Sequence, residues 1–273
     1  MEFTESQVLI RAIRGPDVYG IGEKHFEIGE RVAAAMSQGG APKRYAHTDP
    51  NEDGVIAAES SAALLVAVAD AHAGHFASSV AIEWLVQNRA EAWLTDPPDA
   101  EQWLDALLDA FVAIEQAIAA DNARTSERSS TTLALALFDR ARDRVLYGNA
   151  GDSHIFVVGD AVCDEITGET RGFFLGDASG DRDEIAAHLE HGSVDRGGAF
   201  VIVCASDGIS SPYIGFDEPA EDVARIVRAT PRRAEDVARA LMDEACGIQQ
   251  ANDRGDNIAI AVAMIGSEPV PST

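Results

Sequence analysis

The chain has 273 residues, 46% of them hydrophobic, and 46 acidic against 21 basic side chains give it a formal charge of −25. That length sits slightly above the usual domain range of about 50–250 residues and still suits one domain with a sizeable core. So acidic a chain repels nucleic acid and anionic membrane surfaces and attracts divalent cations. The three cysteines, Cys163, Cys204 and Cys246, are far apart and form no CxxC pair, so neither a disulfide framework nor a zinc ribbon is suggested. The N-terminus MEFTES has no apolar signal core, and no apolar run approaches the ~20 residues that span a bilayer. A soluble, cytoplasmic protein is expected.

In chain order, residues 7–13 and 18–21 read as short strands around the turn Gly15-Pro16-Asp17. Residues 26–36 read as a short helix stopped by Gly39-Gly40-Ala41-Pro42. Pro50, Asn51, Asp53 and Gly54 mark a turn before a strand at 55–58, and taken alone Asn51-Glu52-Asp53 is a solvated turn. Residues 64–69 alternate Leu64, Val66 and Val68 with Leu65, Ala67 and Ala69, the period of two of a buried strand. By that parity Asp70 falls on the large-residue face, where a carboxylate must be hydrogen-bonded, neutralised or bound to metal. Residues 73–94 follow as a helix with Phe76, Val80 and Trp84 on one face, ended by Asp96-Pro97-Pro98. Asp99 and Gln102 form a capping box for a second helix carrying Leu104, Leu107, Leu108, Phe111 and Ile118. Trp84, Trp93 and Trp103 read as packing residues.

From Thr131 the period returns to two, with Leu133, Leu135 and Leu137 opposite Ala134 and Ala136. Strands at 145–148 and 155–158 flank Gly151-Asp152-Ser153, and Gly159-Asp160 makes a hairpin turn. As a hairpin loop this is ordinary; Asp152 matters only if the loop shares a side with the other carboxylates. Residues 167–198 are polar and glycine-rich, a flap or plain connection, with one helix at 183–190. An apolar strand at 200–204 leads into Ser206-Asp207-Gly208. Two amphipathic helices, 221–229 and 234–245, precede Gly255-Asp256-Asn257 and a strand at 258–265, and the tail GSEPVPST reads as disordered. Asp70, Asp207 and Asp256 thus stand at strand ends beside small residues and predict a converging carboxylate cluster. The element order describes antiparallel sheets covered by helices in a single domain, 1–273, large side chains filling a sheet-to-sheet core and alanines lying under helices.

The ordered set Asn51-Glu52-Asp53, Asp70-Ala71-His72-Ala73-Gly74, Gly151-Asp152-Ser153, Ser206-Asp207-Gly208 and Asp256-Asn257 resembles the motifs NED, DGHGG, GDS, SDG and DN of the metal-dependent protein phosphatases, the PPM or type 2C serine/threonine phosphatases. The resemblance runs from about residue 46 to 265. It implies an α+β fold, a four-layer α-β-β-α sandwich of two antiparallel sheets flanked by helices. It also implies a phosphorylated protein substrate and a binuclear Mg²⁺ or Mn²⁺ site, with a third ion in some bacterial members. Carried over by position, Asp70 bridges the two ions, Asp207 and Asp256 hold the first, and the Ala71 carbonyl holds the second with Glu52 and Asp53 behind water. Asp152 with Asp207 matches the third site, and His72 matches the candidate general acid. Carboxylate-rich, all-oxygen sites select such hard cations.

Three departures stand out. DGHGG is DAHAG here, and alanine restricts backbone angles that glycine allows. The family's arginine four residues before the motif glutamate is Thr48, which offers a hydroxyl but no charge. The segment after Gly151-Asp152-Ser153 lacks the LTxDH-like stretch. Arg44, with Lys43 beside it, is the candidate to replace the phosphate clamp, although both read equally well as loop cations. Two other readings compete: a catalytically silent module of the same fold that binds a partner, and an adhesion loop at Arg254-Gly255-Asp256.

Overall fold

The computed structural model describes residues 7–44, 51–126, 128–167, 173–177 and 180–266. The first strands are β1 (Leu9–Arg14), β2 (Lys24–Ile28), β3 (Val32–Ser37), β4 (Asp53–Glu59) and β5 (Ala63–His72). Three helices follow, α1 (Phe76–Asn88), α2 (Ala90–Thr95) and α3 (Ala100–Thr125). Next come β6 (Ser130–Thr131), β7 (Leu133–Asp139), β8 (Arg144–Ala150), β9 (His154–Gly159), β10 (Cys163–Glu165), α4 (Arg182–His188), β11 (Glu190–Asp195) and β12 (Ala199–Ala205). The chain closes with α5 (Pro219–Ala229), α6 (Ala234–Asn252) and β13 (Ile258–Met264).

One antiparallel sheet runs β1-β4-β5-β7-β8-β11, with β6 paired to β5; the other runs β10-β9-β12-β13-β3-β2. Helices α1, α2 and α3 cover the first sheet through Leu85, Trp103, Leu107 and Phe111, and α5 and α6 cover the second through Val223, Val237 and Leu241. A third apolar layer lies between the sheets. This is the expected α-β-β-α sandwich. Asp99 accepts from the N–H groups of Glu101 and Gln102, and Gln102 caps in return, so the capping box forms as expected. Among the described residues, no helix is long and apolar enough to cross a membrane, and the three cysteines are free.

The expected division of large and small residues holds for β5 and reverses elsewhere. Leu64, Val66 and Val68 do face the other sheet, but they meet Ala134 and Ala136 of β7 and Ala259, Ala261 and Ala263 of β13. The large residues Leu133, Leu135 and Leu137 lie under helices instead, as do Ile258, Ile260 and Val262. Bulky groups on one strand set against alanines on the others keep the two sheets close without overfilling the gap.

Four elements differ from expectation. Residues 26–36 form a hairpin, β2 and β3, because Gly29-Glu30 turns the chain, with the Gly29 N–H on the Val32 carbonyl at 2.9 Å. The run VAAAM looks helical because alanine favours helices, but β3 is buried on both faces between β13 and β2, which erases alternation. Residues 18–21 form no strand: Gly15–Asp17 is a 3-10 turn, after which Val18 is buried while Tyr19 and Ile21 face solvent. The helix at 73–94 breaks at Arg89, and its buried face is Ala77, Ala81, Ile82 and Leu85, with Phe76, Val80 and Trp84 half-buried. Strand β11 lies within the expected flap. It is a polar edge strand paired only to β8, so no apolar alternation marks it. The tail 267–273 lies outside the described residues.

Candidate metal centre

Strands β4 and β5 place Asp53 and Asp70 directly opposite each other. Two carboxylates in register on one face repel, and both are buried. Strands β12 and β13 of the other sheet pair so that the end of one meets the start of the other, Ala205 opposite Ile260. Asp207 follows the first of these strands and Asp256 precedes the second. The turn at Asp207–Ile209 packs so close that a Cβ on Gly208 would meet the Asn257 carbonyl oxygen at 1.8 Å, which is why glycine stands there. The sandwich therefore brings four carboxylates from two sheets to one end.

Hydrogen bonds hold the cluster from behind. Ser206 Oγ donates to Asp53 Oδ2 at 3.0 Å and accepts the Ala259 N–H at 2.9 Å. The Asp53 N–H donates to Asn51 Oδ1 at 2.9 Å, and the Glu52 N–H to Asn257 Oδ1 at 3.0 Å. Thr132 Oγ1 accepts the Asp70 N–H at 2.9 Å, and Ser211 Oγ donates to Asp207 Oδ2 at 2.7 Å. Asn51, Glu52 and Asp53 are all buried, so they are not the solvated turn their composition allows. Asp53 Oδ1 is buried with no hydrogen-bond partner.

Electrostatics follow from the crowding. Burial, then the charges of Asp53, Asp207 and Asp256, push the Asp70 carboxyl well above its usual range. Burial followed by Asp256 raises Asp207, with Asp152 adding to the push. Asp53 is pushed up to about 8 by burial, against the pull of Lys43. A buried, mutually repelling carboxylate set with an orphaned oxygen is the chemistry a hard cation relieves, and in this sense the donors fit Mg²⁺ or Mn²⁺. As they stand, Asp256 and the neighbouring Glu52 hold an ammonium. Lys43 Nζ lies 2.9 Å from Asp256 Oδ1 and 3.1 Å from Glu52 Oε2. Among the described residues, no three His, Cys, Asp or Glu side chains are already closed into a metal-binding group.

The other predicted residues lie as follows. Ala71 ends buried in β5, and its N–H donates to the Glu52 carbonyl at 3.3 Å. The alanine restriction falls on Ala73, whose φ of 60° is left-handed, and not on Ala71, whose φ is negative. Glu52 Oε1 accepts the Gly74 N–H at 2.7 Å, tying the first motif to the second. His72 is exposed two residues after Asp70 on β5, its ring edge-on to Phe174 at 4.5 Å. Asp152 is half-buried and lines, with Asp207, a cavity of about 400 Å³, so its loop does share the carboxylate end. Arg44 is not brought to the cluster; it pairs with Asp253 and is 59% exposed. Thr48 lies outside the described residues. The Arg254-Gly255-Asp256 stretch is no displayed loop, since Gly255 and Asp256 are buried and a Cβ on Gly255 would meet the Ala41 carbonyl oxygen at 1.5 Å.

The same cavity holds an array the sequence reading misses. His154 Nδ1 lies 2.5 Å from Glu165 Oε1, and its Nε2 lies 2.6 Å from Ser210 Oγ. The pairing β9-β10 sets Phe156 opposite Glu165, and the pairing β9-β12 sets His154 opposite Ala205, just before the turn that carries Ser210, so two strand pairings bring these three separated residues together. The role of Lys43 is missed too, for want of any sequence signal that separates it from Arg44.

The sequence model of the protein phosphatase 2C family matches residues 42–245, well over half of the chain. No curated protein matches it. Among solved structures it is similar to a bacterial serine phosphatase at 17% identity and a TM-score of 0.66, covering 89% of this chain and 100% of that one. It is also similar to the Mycobacterium tuberculosis serine/threonine phosphatase PstP/Ppp, at 21% identity, TM-score 0.61, and 87% and 99% coverage. A third likeness is to Stp1 from Staphylococcus aureus, at 15% identity, TM-score 0.60, and 97% and 96% coverage. At such identities the structures speak for the fold, and the family match over residues 42–245 adds the lineage: the chain belongs to the protein phosphatase 2C family of serine/threonine phosphatases.

Proposed function

We infer that this chain, as one domain spanning 1–273, hydrolyses phosphoserine or phosphothreonine in proteins with two Mg²⁺ or Mn²⁺ ions, and a third at Asp152 and Asp207. The observation that carries this reading is the convergence of Asp53, Asp70, Asp207 and Asp256 from two sheets, with Asp53 Oδ1 buried and unpartnered. When bound, such ions generate a nucleophilic water at neutral pH and neutralise charge on the phosphoryl oxygens. Asp70, Asp207, Asp256 and the Ala71 carbonyl are the direct ligands in this reading, and Glu52 and Asp53 stand behind them. The residues around the ligands do the rest. Ser206, Ser211, Thr132 and Asn257 fix the strands and carboxylates in place, so little reorganisation is left for the reaction. His72, exposed and held against Phe174, is the proton donor to the leaving serine oxygen in this reading. Arg44 reaches a bound phosphate only by leaving Asp253, an exposed pair of a kind worth about 0.2–1 kcal/mol.

One observation favours the silent-module reading, namely the Lys43 ammonium lying among the carboxylates. Hydrolysis of nitrophenyl phosphate and of a phosphothreonine peptide, each measured with chelator and with Mn²⁺, decides between them. Mn²⁺-dependent turnover lost on chelation is expected; Mn²⁺ binding without turnover of either substrate supports the silent module.

A further inference from the structure

The chain has only two lysines, Lys24 and Lys43. Lys24 pairs with Asp243 with 28% of its side chain exposed, whereas Lys43 keeps 5%. Burying a lysine costs rotamer freedom and desolvates an ammonium, a cost offset only where fixed negative charge meets it. Here it meets two buried carboxylates that are held from behind. Glu52 Oε2 takes the ammonium while its Oε1 takes the Gly74 N–H. Asp256 Oδ1 takes the ammonium at 2.9 Å and the Asn257 N–H at 2.8 Å. A carboxylate oxygen has about two lone-pair sites, so this atom is fully used. With its ammonium paired to two buried carboxylates and 5% of its side chain exposed, Lys43 is an ion-paired cation of the centre.

We propose that the Lys43 ammonium is a resident cation of this centre, seated on Asp256 and Glu52, and that a divalent ion loads by displacing it. The inference rests on the metal-centre reading above. The other donor on Asp256 Oδ1 is the backbone N–H of Asn257, whereas the lysine stem is flexible and can swing away without moving the backbone. Loading is therefore an exchange of one charge for two, not the filling of bare carboxylates. Two consequences follow: the metal-free chain keeps one neutralising charge on Asp256 and Glu52, and the apparent metal affinity is weaker than the carboxylates alone would give.

The test uses the unaltered, metal-free chain. Amines are acetylated briefly with an activated ester, with and without Mg²⁺, and the Lys24 and Lys43 peptides are quantified by mass spectrometry. Lys43 should resist labelling without Mg²⁺ and label several-fold faster with it, while Lys24 labels at one rate throughout. In parallel, Mn²⁺ binding to Lys43→Met is measured by calorimetry, with circular dichroism confirming the fold. Removing the competing charge should tighten Mn²⁺ binding by about tenfold or more. Saturable metal binding with an unmoved Lys43 labelling rate, or with unchanged affinity in folded Lys43→Met, overturns the exchange and leaves the metal centre standing. No binding of either ion to either protein overturns the metal centre and the exchange together. If Lys43→Met does not fold, the labelling result alone decides.

Discussion

Lys43 and Arg44 are adjacent in sequence and belong to different electrical worlds. Lys43 enters the centre and meets Glu52 and Asp256 with 5% of its side chain exposed; Arg44 stays on the rim and meets Asp253 with 59% exposed. Removing one partner of a buried pair strands the other charge and typically costs about 3–5 kcal/mol, whereas an exposed pair contributes about 0.2–1 kcal/mol. Contacts of the same type at centre and rim therefore differ in consequence, and the carboxylates follow the same division. Asp70 and Asp207 crowd one another inside, while Asp152 sits half-buried at the edge.

The sharpest way to break this contrast is at its core. Asp70→Ala or Asp207→Ala should abolish metal-dependent turnover of both substrates, because too little charge remains to hold the ions at the centre. Full turnover in Asp70→Ala, measured at saturating Mn²⁺, would sink the assignment. His72, exposed beside Phe174, tests the chemistry and not the binding. A proton donor matters when the leaving group is basic, and such help is worth ~10²–10⁴-fold. His72→Ala should lose most of that factor on a phosphoserine peptide and little on nitrophenyl phosphate; equal losses would make the histidine structural.

The centre also predicts a pH dependence. Asp53, Asp70 and Asp207 are all raised by burial and by neighbouring carboxylates, Asp256 among them in every case, Asp53 from an ordinary 3.8 to about 8. The folded chain then binds more protons than the unfolded chain across that interval. Their contribution is fully present below the unfolded value and is lost as pH rises through the folded ones. Metal-free protein should accordingly melt at falling temperature between about pH 4 and 8. Saturating Mg²⁺ should flatten the slope, and Asp53→Asn should reduce it. A melting temperature that rises across the interval in both proteins would contradict the crowding.

Much of the centre could be read from sequence because its aspartates stand at strand ends beside small residues. Asp70 follows an alternating run that the structure keeps as β5, and Asp207 and Asp256 flank β12 and β13. What stayed hidden depends on partners distant in the chain. β3 looked helical because the strands on either side of it remove any alternation. The Lys43 and Arg44 side chains part company through Asp256 and Asp253, more than two hundred residues away. The Glu165–His154–Ser210 array depends on strand register and on a turn after β12, neither of which leaves a pattern in composition.

Asp152 tests where the centre ends. It lines the cavity with Asp207 and adds to the charge that Asp207 feels, yet half-burial leaves it partly screened. Asp152→Ala should raise the Mn²⁺ concentration for half-maximal turnover more than it lowers the plateau. An unchanged metal titration would remove the third-ion proposal and leave the other two.

The smallest expected effect lies with Arg44. A bound phosphate dianion leaves an outward oxygen that a guanidinium can hold with a charge-assisted hydrogen bond. Arg44 is placed on Asp253, but that pair is exposed, and its weakness lets the side chain trade one anion for another. If it does so, Arg44→Ala should raise KM for phosphopeptide modestly and weaken inhibition by inorganic phosphate, with Mn²⁺ affinity unchanged because the arginine does not touch the carboxylate cluster. Asp253→Ala supplies the opposite perturbation: it frees the guanidinium and should strengthen phosphate inhibition slightly. The two variants moving phosphate inhibition in opposite directions would identify Arg44 as the clamp. Both leaving it unmoved would assign Arg44 to the rim alone, and the outward oxygen would then have to find its donor elsewhere, with a displaced Lys43 the nearest lysine in sequence to take that place.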